Sequence, residues 1–187
     1  MSEEDLFLHL HKPAKRIKFG VLHTGAGNPK ATARWVYEYL RKPLAQGGRW
    51  EDGSPNGGYH VFVELDGTAV FLVEDELVTY GVGTTPFDGI KNGNTLHISY
   101  AGGLNAGIIS RAQVERTEKL VKQYTALYPE IEWLGHNQVS RKLCPSYSAP
   151  KFLREIGIQE KNIYDKDHYG IAATLKSPYE YLRIKGE

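Results

Sequence analysis

Short apolar runs alternate along the chain with amphipathic stretches, and this alternation predicts an α/β protein. Runs rich in β-branched and aromatic residues, which favour buried strands, lie at Ile17–His23, Tyr59–Leu65, Ala69–Val73, Leu96–Tyr100 and Ile131–Leu134. Asp66-Gly67 joins the second and third runs as a hairpin turn. We therefore expect a single mixed central β-sheet flanked by helices.

The clearest helical pattern covers Arg111–Leu127, where apolar residues recur at helical spacing and Ser110 offers an N-cap. Shorter helices are predicted over Glu3–His11, Thr32–Arg41 and Pro150–Ile156. In the second of these, Trp35, Tyr39 and Leu40 can share a face. The glycine-rich stretches between these elements are predicted to be loops.

The length of 187 residues and the balance of 41% hydrophobic and 24% charged residues are typical of one globular domain. We divide the chain into a polar arm over residues 1–15, a domain over 16–157 and a C-terminal extension over 158–187 packed on that domain. The role of the aromatic and charged tail from Asp165 onward does not follow from its sequence.

Charge and hydropathy exclude two classes of partner. Lys and Arg number 23 against 22 Asp and Glu, so no strong field attracts nucleic acid. No apolar run approaches the roughly 20 residues of a membrane-spanning helix. The N-terminal segment lacks the basic start and apolar core of a secretory signal, so we expect a protein made in the cytoplasm.

Three residues that can bind a metal follow predicted strands. His23 and His136 each come at or just after a strand end, and Cys144, the single cysteine, lies in the same loop as His136. Two imidazoles and one thiolate would leave a fourth position open on zinc, as in a catalytic site. Taken singly, each histidine is more often a strand cap. A cysteine hydrolase with Cys144 as nucleophile and His136 as base is the alternative.

Four sequence blocks resemble the N-acetylmuramoyl-L-alanine amidases, in the branch with amidase-type phage lysozymes and peptidoglycan recognition proteins. The blocks are HTGAG (His23–Gly27), GYHVFVELDGT (Gly58–Thr68), NTLHISYAGG (Asn94–Gly103) and GHNQVSRKLCPSY (Gly135–Tyr147). They follow in the family's order, and the resemblance extends from about Arg16 to Phe152. The last block is the most specific, because its histidine, lysine and cysteine stand at fixed spacing.

The resemblance implies a Zn²⁺ cofactor bound by His23, His136 and Cys144, with Tyr59 and Lys142 as catalytic residues. It implies hydrolysis of the amide between N-acetylmuramic acid and L-alanine, with peptidoglycan or a muropeptide as the substrate. A phage or prophage endolysin released by a holin-type partner is the expected setting, and we expect a monomer. The alternatives are a cytoplasmic muropeptide-recycling amidase and a non-catalytic peptidoglycan-binding module, although such modules generally lack a complete ligand set.

The sequence departs from the family's pattern in three places. Tyr80–Gly83 occupies a stretch where members often carry a histidine, and His97 stands where a small residue is usual. Asn137-Gln138 replaces a more common pair of charged residues. We expect these departures to affect specificity. His60 points away from Tyr59 on its strand, and a structural or ligand-supporting role is expected.

Overall fold

The structure is a computed structural model that describes residues 14–25, 27–48, 51–103 and 109–186. The helix predicted over Glu3–His11 and most of the predicted N-terminal arm lie outside the described residues. In the described part of the chain, no helix is long and apolar enough to cross a membrane.

A five-stranded mixed sheet forms the centre of the described structure, which confirms the predicted fold class. Its strands are β1 (Phe19–Thr24), β2 (Val61–Val63), β3 (Ala69–Phe71), β4 (Thr95–Tyr100) and β5 (Glu132–Gly135). The order across the sheet is β3-β2-β4-β1-β5. All neighbours pair in parallel except β2 and β3, which form the antiparallel hairpin.

Helices pack around this sheet. They are α1 (Ala33–Arg41), α2 (Arg111–Leu127), α3 (His136–Val139), α4 (Ala149–Glu155), α5 (Ile171–Thr174) and α6 (Pro178–Lys185). The bounds of α2 are those predicted, and a capping box fixes its start: the Ser110 hydroxyl accepts the Gln113 N–H and the Gln113 side chain accepts the Ser110 N–H. Three-residue 3₁₀ turns lie at Leu44–Gln46, Asn92–Asn94 and Glu160–Asn162.

Several predicted details are wrong. The hairpin strands β2 and β3 have only three residues each, shorter than the predicted runs. The stretch after β5, predicted to be a loop, begins with the single helical turn α3. On α1 the buried residues are Ala33, Val36 and Leu40. Trp35 and Tyr39 stack on each other and so share a face as expected, but Trp35 is 57% exposed and does not belong to the core.

The two faces of the sheet bury different clusters. One face packs Leu22, Leu96 and Ile98 against the apolar stripe of α2, and the fully buried Trp133 lies in this cluster. The other face carries Phe19 and Val21 on β1 and Leu134 on β5. Because side chains alternate along a strand, His23 shares the second face with Val21.

The C-terminal residues contact both clusters. Ile158, Ile163 and Leu182 belong to the cluster under α2, and Tyr164 belongs to the cluster on the other face. The residues from Ile158 onward thus contribute two short helices and several buried side chains. The division at residues 15 and 157 stays a prediction.

Candidate metal centre

Two neighbouring parallel strands bring His23 and His136 together. Leu22 on β1 pairs in register with Gly135 on β5, and each histidine is the residue that follows. The carboxyl ends of parallel strands meet at one edge of a sheet, which is where open α/β sheets bind ligands. The two imidazole rings accordingly lie with their centroids 4.8 Å apart.

Cys144 joins this pair from the loop after α3. Its Sγ lies 3.6 Å from His23 Nδ1 and accepts a hydrogen bond of 3.2 Å from the backbone N–H of Thr24. The potential ligand atoms of the three residues all lie within 4.8 Å of one another, and all three residues are buried. The structure therefore brings together the three sequence-predicted metal ligands.

The spacing and chemistry of these donors fit a zinc ion. Tetrahedral zinc with bonds of about 2.1 Å to nitrogen and about 2.3 Å to sulfur holds the two donor atoms about 3.6 Å apart. Burial lowers the pKa of His23 well below its ordinary value. Electrostatic repulsion from the nearby His136, His97 and Lys142 side chains lowers this pKa further. His23 is therefore neutral and can offer a lone pair to a metal.

Buried polar side chains hold the loop that carries Cys144. Asn137 Nδ2 donates to the Tyr147 carbonyl at 3.0 Å, and the Tyr100 hydroxyl donates to the Pro145 carbonyl at 2.6 Å. These contacts secure the loop on the C-terminal side of the cysteine. The bond from Tyr100 to Pro145 joins positions 45 apart in the chain, so no local pattern in the sequence shows it.

Asn137 and Gln138, which replace a more common pair of charged residues in the family's pattern, are fully buried. Gln138 Oε1 accepts the Gly135 N–H at 2.8 Å, and its Nε2 donates to the Tyr164 and Lys166 carbonyls at 2.7 and 3.0 Å. Neither side chain lines the cavity at the metal centre. The pair instead holds α3 against neighbouring segments. The expectation that it affects specificity is therefore not supported by any contact with the cavity.

Tyr59 and Lys142 line the same cavity as the three donors. This cavity has a volume of about 470 Å³. The Tyr59 ring centroid lies 5.4 Å from that of His23, and the residue precedes β2 instead of beginning it. Lys142 is exposed, and its charge is close enough to depress the pKa of His23. All five sequence-predicted site residues thus face one cavity.

The stretch Tyr80–Gly83 forms another wall of this cavity together with Asn92. Asn92 Oδ1 accepts the N–H groups of Val82 and Gly83 at 3.0 and 2.8 Å. Farther along the same loop, the Tyr164 hydroxyl and the Lys166 ammonium donate to Asp88 at 2.5 and 2.9 Å. The C-terminal residues therefore support a wall of the cavity.

The other histidines have different surroundings. His60 is fully buried and its Nδ1 accepts the backbone N–H of His97 at 3.0 Å, which fits the structural role expected of it. His168 stacks on Phe87 with centroids 3.7 Å apart. His9 and His11 lie outside the described residues.

Residues 13–147 match the protein family described as N-acetylmuramoyl-L-alanine amidase, a match that covers most of the chain. A search of curated proteins found no match.

Solved structures provide a second comparison. The N-acetylmuramoyl-L-alanine amidase LysC from Clostridium intestinale aligns with a TM-score of 0.58 at 17% identity, over 80% of this chain and 93% of its own. Human PGRP-IBETAC, in complex with glycosamyl muramyl pentapeptide, aligns at 0.52 and 22% identity, over 72% and 80%. The Ph2119 endolysin from a Thermus scotoductus bacteriophage aligns at 0.51 and 18% identity, over 73% and 81%. At these identities the likeness establishes a common fold.

Proposed function

The chain belongs to the N-acetylmuramoyl-L-alanine amidase family, and we propose that it is a zinc-dependent hydrolase acting on peptidoglycan. The bond cleaved would be the amide between N-acetylmuramic acid and L-alanine. The observation that carries the proposal is the buried cluster of His23, His136 and Cys144 at the wall of a cavity. A complete set of three donors favours catalysis over simple binding, because three protein ligands leave the fourth position of a tetrahedral ion open.

His23 Nδ1, His136 and Cys144 Sγ would hold the ion. When bound, zinc supplies Lewis acidity and lowers the pKa of water towards neutrality, which is the chemistry that amide hydrolysis needs. The Thr24 N–H donates to Cys144 Sγ and thereby favours the thiolate form that a metal ligand requires.

Lys142 and Tyr59 would act on the substrate. Attack on the scissile carbonyl places negative charge on its oxygen, and a cation or hydrogen-bond donor aimed there lowers the barrier. The Lys142 ammonium would supply the positive charge from the mouth of the cavity. Tyr59 lines the same cavity, and its hydroxyl would donate a hydrogen bond to the tetrahedral intermediate.

The proposal is tested by incubating the purified protein with peptidoglycan sacculi and analysing the soluble products. We expect free stem peptides with an N-terminal alanine, together with glycan strands that keep intact lactyl groups. Release of neither product from sacculi or from soluble muropeptides would identify a binding module.

A cysteine hydrolase is the second candidate, with Cys144 as nucleophile and His136 as the expected base. His136 lies within 4.8 Å of the Cys144 thiol, and the His23 Nδ1 atom is also close, at 3.6 Å from Cys144 Sγ. Cys144 is, however, buried in an irregular loop and not at a helix N-terminus, where a thiol would gain reactivity. If activity persists after metal removal and is lost on thiol alkylation, this candidate replaces the zinc enzyme.

For the biological setting we propose an endolysin, made in the cytoplasm and reaching the wall through a holin-type partner. One of the solved structures that share the fold, from a Thermus scotoductus bacteriophage, is named an endolysin, which supports this setting. A muropeptide-recycling amidase is the alternative. Rates on intact walls and on soluble anhydro-muropeptides distinguish the two, since an endolysin should prefer the intact wall.

A further inference from the structure

A second histidine lies directly behind His23. His97 on β4 is fully buried, and its Nδ1 lies 3.0 Å from His23 Nε2. Its own Nε2 lies 2.8 Å from Thr95 Oγ1, and that hydroxyl lies 3.0 Å from the Lys91 carbonyl. Four groups thus form a continuous chain of hydrogen bonds that starts at the proposed metal ligand and ends on the backbone.

The proton positions along this chain follow from its two ends. The Lys91 carbonyl can only accept, so the Thr95 hydroxyl donates to it and accepts from His97 Nε2–H. A neutral His97 then has a bare Nδ1, which accepts from His23 Nε2–H. In a neutral His23 with its proton on Nε2, the lone pair is on Nδ1, the atom that faces Cys144 Sγ at 3.6 Å. The chain therefore selects the tautomer of His23 that presents Nδ1 to a metal.

The surroundings of His97 hold its ring in place. Its backbone N–H donates to His60 Nδ1 at 3.0 Å, and the two rings stack with centroids 5.8 Å apart. On the loop side, a Cβ added to Gly81 would lie 2.6 Å from His97 Nδ1. Gly81 and His97, which belong to two of the departures from the family's sequence pattern, are thus neighbours. Only a glycine at position 81 leaves room for the His97 ring.

We propose that His97 is a positioning residue that fixes the tautomer and orientation of His23 and thereby strengthens zinc binding. The proposal rests on the proposed zinc site. Metal-binding histidines generally donate their second N–H to an acceptor that orients the ring, and loss of that acceptor weakens metal binding about 10- to 100-fold. In this chain a histidine takes the place of the usual carboxylate, carbonyl or water.

The test is the zinc dissociation constant of purified variants, measured by competition with a chelator of known affinity. His97→Leu keeps an apolar volume but removes the acceptor, and we expect zinc to bind about 10- to 100-fold more weakly. His97→Asn keeps an acceptor near the position of Nδ1 and should stay close to the wild type. Thr95→Val removes the next link and should weaken binding by a smaller factor.

Ser99→Ala is the matched control. Ser99 lies on the same buried face of β4, its hydroxyl has no hydrogen-bond partner among the described residues, and its loss should leave zinc affinity unchanged. Heteronuclear NMR of the imidazole nitrogens in the zinc-loaded wild type adds a direct reading, with the protons of His23 and His97 both expected on Nε2. Thermal unfolding of the metal-free variants shows which of them fold.

Wild-type affinity in both His97→Leu and Thr95→Val would overturn the proposal, as would equal weakening by His97→Leu and His97→Asn. If His97→Leu does not fold, His97→Asn, Thr95→Val and Ser99→Ala decide the matter by the same comparison, and Thr95→Val with wild-type affinity overturns the proposal. Failure of the zinc site itself has a different signature: a wild type without zinc affinity, or undiminished affinity in His23→Ala, would refute the proposed function.

Discussion

Cys144 Sγ lies 3.6 Å from His23 Nδ1, although the two residues are 121 positions apart in the chain. His23 reaches this point at the end of strand β1, between β4 and β5. Cys144 reaches it in a loop held by hydrogen bonds from Asn137 and Tyr100. The contact depends on rigid supports on both sides.

Lys142→Ala should lower the turnover rate by about 10²- to 10³-fold, the usual cost of removing one group that stabilises the oxyanion. Zinc content should not change, because Lys142 is not one of the three buried donors. Lys142→Arg keeps the charge and should retain more of the rate. The measurements are steady-state kinetics on a soluble muropeptide and metal analysis of each protein. Loss of zinc from Lys142→Ala would show that the side chain supports the site instead of the reaction.

Asn137→Ala should weaken both folding and zinc binding. The substitution leaves the buried carbonyl of Tyr147 without its donor, which costs about 1–3 kcal/mol of unfolding free energy. The loop that holds Cys144 loses a support at the same time, so zinc affinity should fall. Denaturant unfolding and chelator competition measure the two effects.

Asn162→Ala is the matched control for this prediction. Asn162 is also buried, and its Nδ2 donates to the Pro129 and Ile131 carbonyls, away from the cavity. It should cost a similar unfolding free energy without changing zinc affinity. Equal losses of zinc affinity in the two variants would mean that Asn137 acts only through global stability.

Gly20→Ala should destabilise the sheet. Gly20 pairs with Trp133 across β1 and β5, and an added Cβ would lie 2.2 Å from the indole ring. Such overpacking of a core typically costs about 1–3 kcal/mol. Gly93→Ala, whose added Cβ would meet nothing closer than 4.0 Å, is the control and should change stability little. Urea unfolding of both variants checks the prediction, and equal stabilities would contradict it.

Asp88 should make stability depend on pH. Hydrogen bonds from the Tyr164 hydroxyl and then from the Lys166 ammonium lower the pKa of this carboxyl below its ordinary value. A carboxyl with a lowered folded-state pKa stabilises the fold fully above its unfolded pKa, and the benefit is lost as the pH falls through the folded pKa. Asp88→Asn should therefore be less stable than the wild type near neutral pH.

The difference in unfolding free energy between the two proteins should shrink below about pH 4, where free aspartate begins to take up a proton. Asparagine suits this position because Asp88 has a positive φ of 48°, which asparagine tolerates. Chemical denaturation at a series of pH values gives the comparison. A difference that stays constant down to strongly acidic pH would contradict the assignment.

The parts of the fold that could be predicted from sequence are those decided by local pattern. The helix α2 has a long apolar stripe and a capping box, so its bounds follow from its own residues. The single-turn helix α3 is too short for such a pattern. Its buried Asn137 and Gln138 donate to the carbonyls of Tyr147 and Tyr164, which lie 10 and 26 positions farther along the chain, and no local spacing shows these contacts.

The residues of the candidate site could also be predicted only in part. His23, His136 and Cys144 could be proposed because each follows a strand in a recognisable block, and the register of Leu22 with Gly135 then brings two of them together. His97 was seen only as an unusual residue in its block. Its contact with His23 depends on the parallel pairing of β1 and β4, which no local sequence pattern shows.

The most direct test of the central claim is the amidase rate on sacculi before and after removal of bound metal, with addition of zinc as the final step. The account predicts that activity disappears with the metal and returns on addition of about one equivalent of zinc. It also predicts that Cys144→Ala neither retains zinc nor recovers activity. Full activity in the metal-free protein, or a zinc-loaded and fully active Cys144→Ala variant, would contradict it.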